Sequence, residues 1–146
     1  MSGWDTLDPA LVAMLLPPYA LSLGMTIDRF DDGLPVLGFD FAEAIHGRPG
    51  FVHGGAIGGL LEMAAMVGLG VFLRRRGDGV RLKPVNITVE YLRGASEQRT
   101  FALARVTRAG RRIANVSAEA WQDDRAKPVA TAWMNIRLGA ADRLNP

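Results

Sequence analysis

The feature that most constrains the fold of this chain is one long apolar segment with a single acid inside it. Residues 56–73 contain no charged side chain apart from Glu62, and three arginines follow directly at 74–76. Eighteen residues is the lower limit for spanning a bilayer, and a carboxylate near the middle of such a span is costly in lipid. The segment is therefore interpreted as a helix buried inside a soluble protein, with no membrane as a partner.

Segments on both sides of this helix are predicted to be strands, and those after it alternate apolar and polar residues, as half-buried strands do. Two strands are predicted before it, at about 19–30 and 35–41, with the turn signal Asp31-Asp32-Gly33 between them. Four more strands are predicted between residues 85 and 138. The sequence thus predicts an α+β fold in which an antiparallel sheet wraps around one long helix at 54–75.

The N-terminal segment is predicted to be a short helical extension, residues 1–18, of a single domain that spans residues 1–146. Asp8 is a suitable N-cap and Pro9 suits the first helical position, and the helix should end at Pro17. The acidic start, with Asp5 and Asp8 and no basic region, does not resemble a secretory signal. We therefore expect a cytoplasmic protein.

The amino-acid composition excludes several kinds of catalytic and metal site. The chain has no cysteine, which excludes disulfides, thiolate catalysis and cysteine-based metal sites, and two histidines are too few for a histidine-rich metal site. We expect no metal and no cofactor. The net charge of +2 is too balanced to indicate a nucleic-acid partner, although the arginines suit small ligands that carry phosphate.

The start of the long helix is the first candidate for chemistry. Gly54 and Gly55 open it, so their backbone N–H groups have no helical partner, and the helix dipole makes this end partly positive. An acyl carbonyl placed there would be polarised, and an oxyanion formed on it would be stabilised. The alternative is that the glycines only permit a tight turn from loop to helix.

Glu62 is the second candidate, because a carboxylate on an apolar helix is costly to bury without partners. It is either a structural acid bonded to a neighbouring strand or a catalytic base or nucleophile. Gly55 and Glu62 are seven residues apart, about 10 Å along one helix, so one small carbonyl cannot touch both. If both are catalytic, the site is shared between antiparallel copies, most simply in a two-fold homodimer.

Three segments together carry a family resemblance that covers about residues 19–138: HGGAIGGLLEMAAM, VNITVEYLRGA and RAGRRIANVSAEAWQDDRAKPVATAWMNIRL. The chain resembles the PaaI-like, phenylacetate-pathway branch of the hotdog-fold thioesterases. The resemblance implies a five- or six-stranded sheet around the long helix, and homodimers or dimers of dimers whose sheets join side by side. It also implies hydrolysis of acyl-CoA or aryl-CoA thioesters, in which CoA belongs to the substrate.

The resemblance also implies roles for single residues. Gly55 matches the glycine whose N–H polarises the thioester carbonyl, and Glu62 matches the acid that attacks the carbonyl or activates water. His53 matches the histidine of the motif, which more often shapes the loop than takes part in the chemistry. Relatives carry an asparagine six or seven residues earlier, where this chain has Gly47 and His46, so His46 is the candidate replacement as a hydrogen-bond donor.

Basic residues at a strand end and a hairpin match positions that approach the CoA phosphates in relatives. They are Arg93, Arg111 and Arg112. Arginine suits phosphate because it can form two parallel hydrogen bonds to it. The alternative for each of them is ordinary solvated charge.

Two other functions fit parts of the pattern. A hotdog dehydratase of hydroxyacyl thioesters would use a loop histidine and a helix acid, which His46 and Glu62 echo at a spacing that fits poorly. A non-catalytic acyl-CoA-binding protein would bind the same ligand without releasing a thiol.

Overall fold

The computed structural model describes residues 8–140, which form one antiparallel sheet around one long helix. The elements in chain order are α1 Pro9–Ala13, α2 Pro18–Ser22, β1 Thr26–Asp31, β2 Leu34–Phe39, a 3-10 turn Glu43–Ile45, α3 Gly54–Arg75, β3 Val80–Tyr91, β4 Thr100–Ala109, β5 Ile113–Trp121 and β6 Ala130–Ala140. The strand order is β1-β2-β4-β5-β6-β3, and every neighbouring pair is antiparallel. The predicted hotdog fold is confirmed.

Helix α3 occupies the position that its composition predicts, inside the curve of the sheet. It runs from Gly54 to Arg75, the predicted bounds, and most of its residues are buried. A side chain at Gly68 would meet the Cβ of Ala104 on β4 at 3.4 Å, so helix and sheet approach closely there. By length and composition α3 passes as a membrane span, but 78% of its apolar window is buried in the protein, as in a core helix.

The N-terminal region differs from the prediction. One helix followed by a strand from residue 19 is expected, but α1 ends at Ala13 and a second short helix, α2, begins at Pro18. Proline cannot continue a helix yet is favoured at the first position of a new one, which explains the break. The first strand therefore starts only at Thr26. Asp5 and the first part of the predicted 1–18 extension lie outside the described residues.

The two edges of the sheet differ in how well they are protected against pairing. Edge strand β1 carries the charges of Asp28, Arg29 and Asp31 and contains a register shift. Charges and bulges of this kind keep an edge from pairing with another chain. Edge strand β3 is protected in the same way only in its first part, where it carries Arg81, Lys83 and Pro84 and a register shift after Pro84. Residues 85–89 carry no charge, and Val85 there is 59% exposed. The stretch 85–89 of β3 is thus the less protected part of the two edges.

Candidate active site

His53 closes the start of α3 with its own side chain. It is the N-cap, and its Nδ1 accepts a hydrogen bond of 2.8 Å from the Gly55 N–H. Its carbonyl accepts from the Ala56 N–H at 3.0 Å. The expectation that both glycine amides are free is therefore wrong for Gly55. Within residues 8–140 the Gly54 N–H has no partner, while the Gly55 N–H is occupied by the imidazole of His53.

The loop before α3 is held tightly enough to fix this cap. The His53 N–H donates to the Ile45 carbonyl at 2.7 Å, and the Gly47 N–H donates to the Phe51 carbonyl at 2.9 Å. A Cβ at Gly47 would lie 2.9 Å from the Cα of His53, so any larger residue would push the backbone of the cap. Gly47, one of two positions where relatives carry asparagine, thus has a packing role here.

His46 lies beside this loop but points elsewhere. It forms an isolated bridge with Val52, and its exposed imidazole packs edge-on against the ring of Phe41, with centroids 5.5 Å apart. It is not among the residues that line the cavity at the start of α3. This placement gives no support to His46 as the substitute for the family asparagine or as a dehydratase base.

A cavity of about 500 Å³ opens between the loop, the start of α3 and the end of β3. Its polar lining includes His53, Gly54, Arg48 and Arg93. The guanidinium of Arg48 lies 4.4 Å from the ring centre of Phe51. The volume falls within the range of small-ligand sites. The predicted candidates His53, Gly54 and Arg93 are brought together here.

Tyr91, the last residue of β3, is hydrogen-bonded to Gly54, the first residue of α3. Its hydroxyl donates a 2.8 Å hydrogen bond to the Gly54 carbonyl. It also lies 3.3 Å from the position that a Cβ at Gly58 would occupy. This contact fixes the distance between the helix start and the segment that carries Arg93.

Glu62 lies on a stripe along the first part of α3 that the rest of the chain does not fully cover, so its residues are partly exposed to solvent. This is the open stripe of α3. The less buried residues over its first three to four turns recur every three or four positions: Gly54, Gly55, Gly58, Glu62 and Met66. Glu62 is half-buried, and it makes no hydrogen bond or ion pair within residues 8–140. The alternative of a structural acid bonded to a neighbouring strand therefore finds no counterpart in this part of the chain.

Comparison with known proteins decides the family. A model of the thioesterase superfamily matches residues 49–129, more than half of the 146 residues, from the loop before α3 to the end of the β5–β6 connection. The chain belongs to the thioesterase superfamily. No sequence match was found among curated proteins.

Solved structures of other proteins share this fold. A protein from Chromobacterium violaceum is 33% identical, over 92% of each chain, with a TM-score of 0.69. A phenylacetic acid degradation-related protein from Ralstonia eutropha is 30% identical, over 84% of this chain and 90% of its own, with a TM-score of 0.68. A thioesterase from Haemophilus influenzae is 16% identical over 95% of each chain, and its TM-score of 0.81 shows the common fold.

Within one chain of this thioesterase-superfamily protein, the candidate phosphate-binding arginines of the β4–β5 hairpin lie far from the start of α3. Arg111 and Arg112 lie in the β4–β5 hairpin, at the end of the sheet where Ile113 pairs with Arg137. The start of α3 lies at the other end, beside Tyr91, which pairs with Ala130. Seven residues of β6 separate the two ends, roughly 23 Å.

Sequence reasoning did not single out Arg48 or Tyr91 as site residues. Arg48 stands in a loop between glycine and proline, where a charge usually means only solvent exposure. Tyr91 continues the apolar face of a strand, which indicates core packing. Only the fold shows that the two side chains border one cavity.

Proposed function

We propose that this protein hydrolyses acyl-CoA or aryl-CoA thioesters to the free acid and CoA, as a cytoplasmic enzyme that needs no metal or cofactor. One observation carries the proposal: within residues 8–140, Glu62 is an unpartnered carboxylate on the open stripe of a helix whose first residue, Gly54, has a backbone N–H without a partner. Membership of the thioesterase superfamily supports a thioester hydrolase. The likeness to the Ralstonia eutropha protein supports the PaaI-like branch.

The proposal requires two copies of the chain. Antiparallel pairing of β3 with its counterpart would continue the sheet across a two-fold axis and set the two α3 helices antiparallel. Glu62 of one subunit would then approach Gly55 of the other, which removes the roughly 10 Å separation along a single helix. The uncharged stretch of β3 at 85–89 supports this edge as the interface. Two such dimers can associate further into a dimer of dimers.

The same pairing would bring arginines from both subunits to the mouth of one cavity. Reversal of the partner sheet brings its β4–β5 hairpin, with Arg111 and Arg112, toward the end of the first subunit where Arg48 and Arg93 line the cavity. Four guanidinium groups from two chains would then surround the mouth of one site. Arginine binds phosphate with paired hydrogen bonds, so this arrangement suits the phosphates of CoA.

The chemical steps follow from these positions. The thioester carbonyl accepts hydrogen bonds from the Gly54 N–H and, once His53 has turned aside, from the Gly55 N–H. Glu62 either attacks the carbonyl carbon or takes a proton from a water that attacks it. The tetrahedral oxyanion is held by the amides. The oxyanion collapses as the C–S bond breaks. When Glu62 acts as a base, the water oxygen becomes part of the acid, and Glu62 passes the proton that it took from water to the departing CoA thiolate. When Glu62 attacks, the acyl group stays on Glu62 as a mixed anhydride and the CoA thiolate takes a proton from solvent; a water then hydrolyses the anhydride, which releases the acid and restores the carboxylate.

A panel of CoA esters tests the proposal. Acetyl-, octanoyl-, palmitoyl-, benzoyl- and phenylacetyl-CoA are incubated with the protein, and free thiol is measured with a chromogenic disulfide. The chain contains no cysteine, so the protein adds no thiol background. We expect at least one ester to reach a kcat/KM of about 10⁴ M⁻¹s⁻¹ or more, unchanged by EDTA. Tight binding of every ester without thiol release would contradict hydrolysis and favour an acyl-CoA-binding protein.

A further inference from the structure

Tyr19 reaches from the N-terminal region onto the helix that carries Glu62. It lies in α2, and its ring end covers α3 at Gly59, where the Cβ of any larger residue would overlap the hydroxyl oxygen and lie 3.2 Å from Cζ. Gly59 is buried beneath this ring, while the adjacent Gly58 stays half-exposed. The hydroxyl of Tyr19 has no hydrogen-bond partner within residues 8–140. A polar group is thus held over α3 by packing alone.

The side chain of Glu62 is directed toward the part of α3 that the Tyr19 hydroxyl covers. In an α-helix each Cα–Cβ bond tilts toward the N-terminus, so Glu62 extends over the preceding turn, which Gly58 and Gly59 form. Both are glycines, and therefore no side chain of that turn blocks the carboxylate. Positions three apart on a helix have Cβ atoms about 5–6 Å apart. A glutamate side chain followed by one hydrogen bond of about 2.7 Å spans that distance.

The Tyr19 hydroxyl and the Glu62 carboxylate are not bonded to each other in the structure of residues 8–140. We propose that rotation of the Glu62 side chain brings the two together when substrate binds, so that the hydroxyl donates a hydrogen bond to the carboxylate and orients it toward the thioester. Tyr19 is then a positioning residue, since it acts through Glu62 and not on the substrate. The inference rests on the proposed thioesterase function. It assigns to α2 a part in the site that the sequence, which predicts a strand there, does not reveal.

The test uses two variants that disturb the contact from opposite sides. Tyr19→Phe keeps the ring on Gly59 and removes only the hydroxyl. Gly59→Ala keeps the hydroxyl and displaces it, because the new methyl group overlaps its position. Each is expected to lower kcat about tenfold, the effect of one hydrogen bond to a charged group, with KM changed less than about twofold. The double variant should lose no more than either single variant, because both remove the same contact.

Thermal unfolding of the variants separates positioning from packing. Tyr19→Phe is expected to unfold within about 2 °C of the wild type, since its apolar contacts are kept. The inference is overturned if Tyr19→Phe keeps the wild-type kcat, or if the losses of the two variants multiply in the double variant. Either result leaves the thioesterase proposal standing as long as the wild type releases thiol from the CoA esters. Absence of thiol release by the wild type would overturn the thioesterase proposal itself.

Discussion

Glu62→Gln is expected to lower kcat for CoA-ester hydrolysis about a thousandfold. The amide keeps the size and most of the polarity of the side chain, but it can neither attack a thioester nor take a proton from water. Positioned acid–base groups contribute about a hundredfold to ten-thousandfold to rate, which sets this size. KM should change little, because the Gly54 and Gly55 amides that bind the carbonyl remain. Initial rates of thiol release over a range of substrate concentrations measure both constants.

A matched control for this substitution is Glu97→Gln. Glu97 is exposed in the β3–β4 connection and is outside the open stripe of α3, so its conversion to the amide should leave kcat unchanged. Glu62→Gln should also fold normally, since the carboxylate has no partner within residues 8–140 to lose. A Glu62→Gln protein that is folded and retains more than about a tenth of the wild-type kcat would remove Glu62 from the chemistry.

Disruption of the β3 edge should abolish activity without touching any site residue. Val85→Lys and Thr88→Lys together place charges on an edge that carries none from 85 to 89, and two-fold pairing would bring like charges together from both subunits. Val85 and Thr88 are exposed in the single chain, so the subunit itself should still fold. We expect a monomer in light scattering and at least a hundredfold loss of kcat/KM, because misplaced catalytic groups cost about that much.

The control adds the same charge elsewhere. Ala13→Lys and Met14→Lys place two lysines on exposed positions at the end of α1, away from β3 and from Tyr19. This variant should keep the wild-type mass and rate. A Val85→Lys/Thr88→Lys protein that is monomeric and fully active would show that one chain holds a complete site.

The parts of the fold that sequence predicts are those governed by local composition. The bounds of α3 follow from an apolar run that begins at two glycines and ends at arginines, and the positions of β3 to β6 follow from alternation. Strand β3 begins at Val80, five residues before the alternation at 85 that predicts it. The break at Pro17-Pro18 is local too, but the sequence does not show whether the chain beyond it becomes a strand or a second helix. Its helical state places Tyr19 on Gly59, a contact between residues 40 positions apart.

The candidate site is predictable in its residue types but not in its arrangement. The motif at 53–62 identifies the helix start and the acid. The bond from the Gly55 N–H to the His53 imidazole depends on a rotamer that no spacing rule gives. The separation of Arg111 and Arg112 from the helix start depends on the register of the strands, which places the β4–β5 hairpin and Tyr91 at opposite ends of β6. Residues 1–7 and 141–146 fall outside the part of the chain compared with these predictions.

Mixing two inactive variants measures whether one site draws on two subunits. Glu62→Gln and Gly55→Val are each purified, combined, unfolded and refolded together. A mixed dimer would contain one site with Gly55 from the first subunit and Glu62 from the second, and a second site that lacks both. Equal mixing gives half mixed dimers with one intact site of two, so activity should return to about a quarter of the wild-type value. A mixture as inactive as its two components would contradict the shared site.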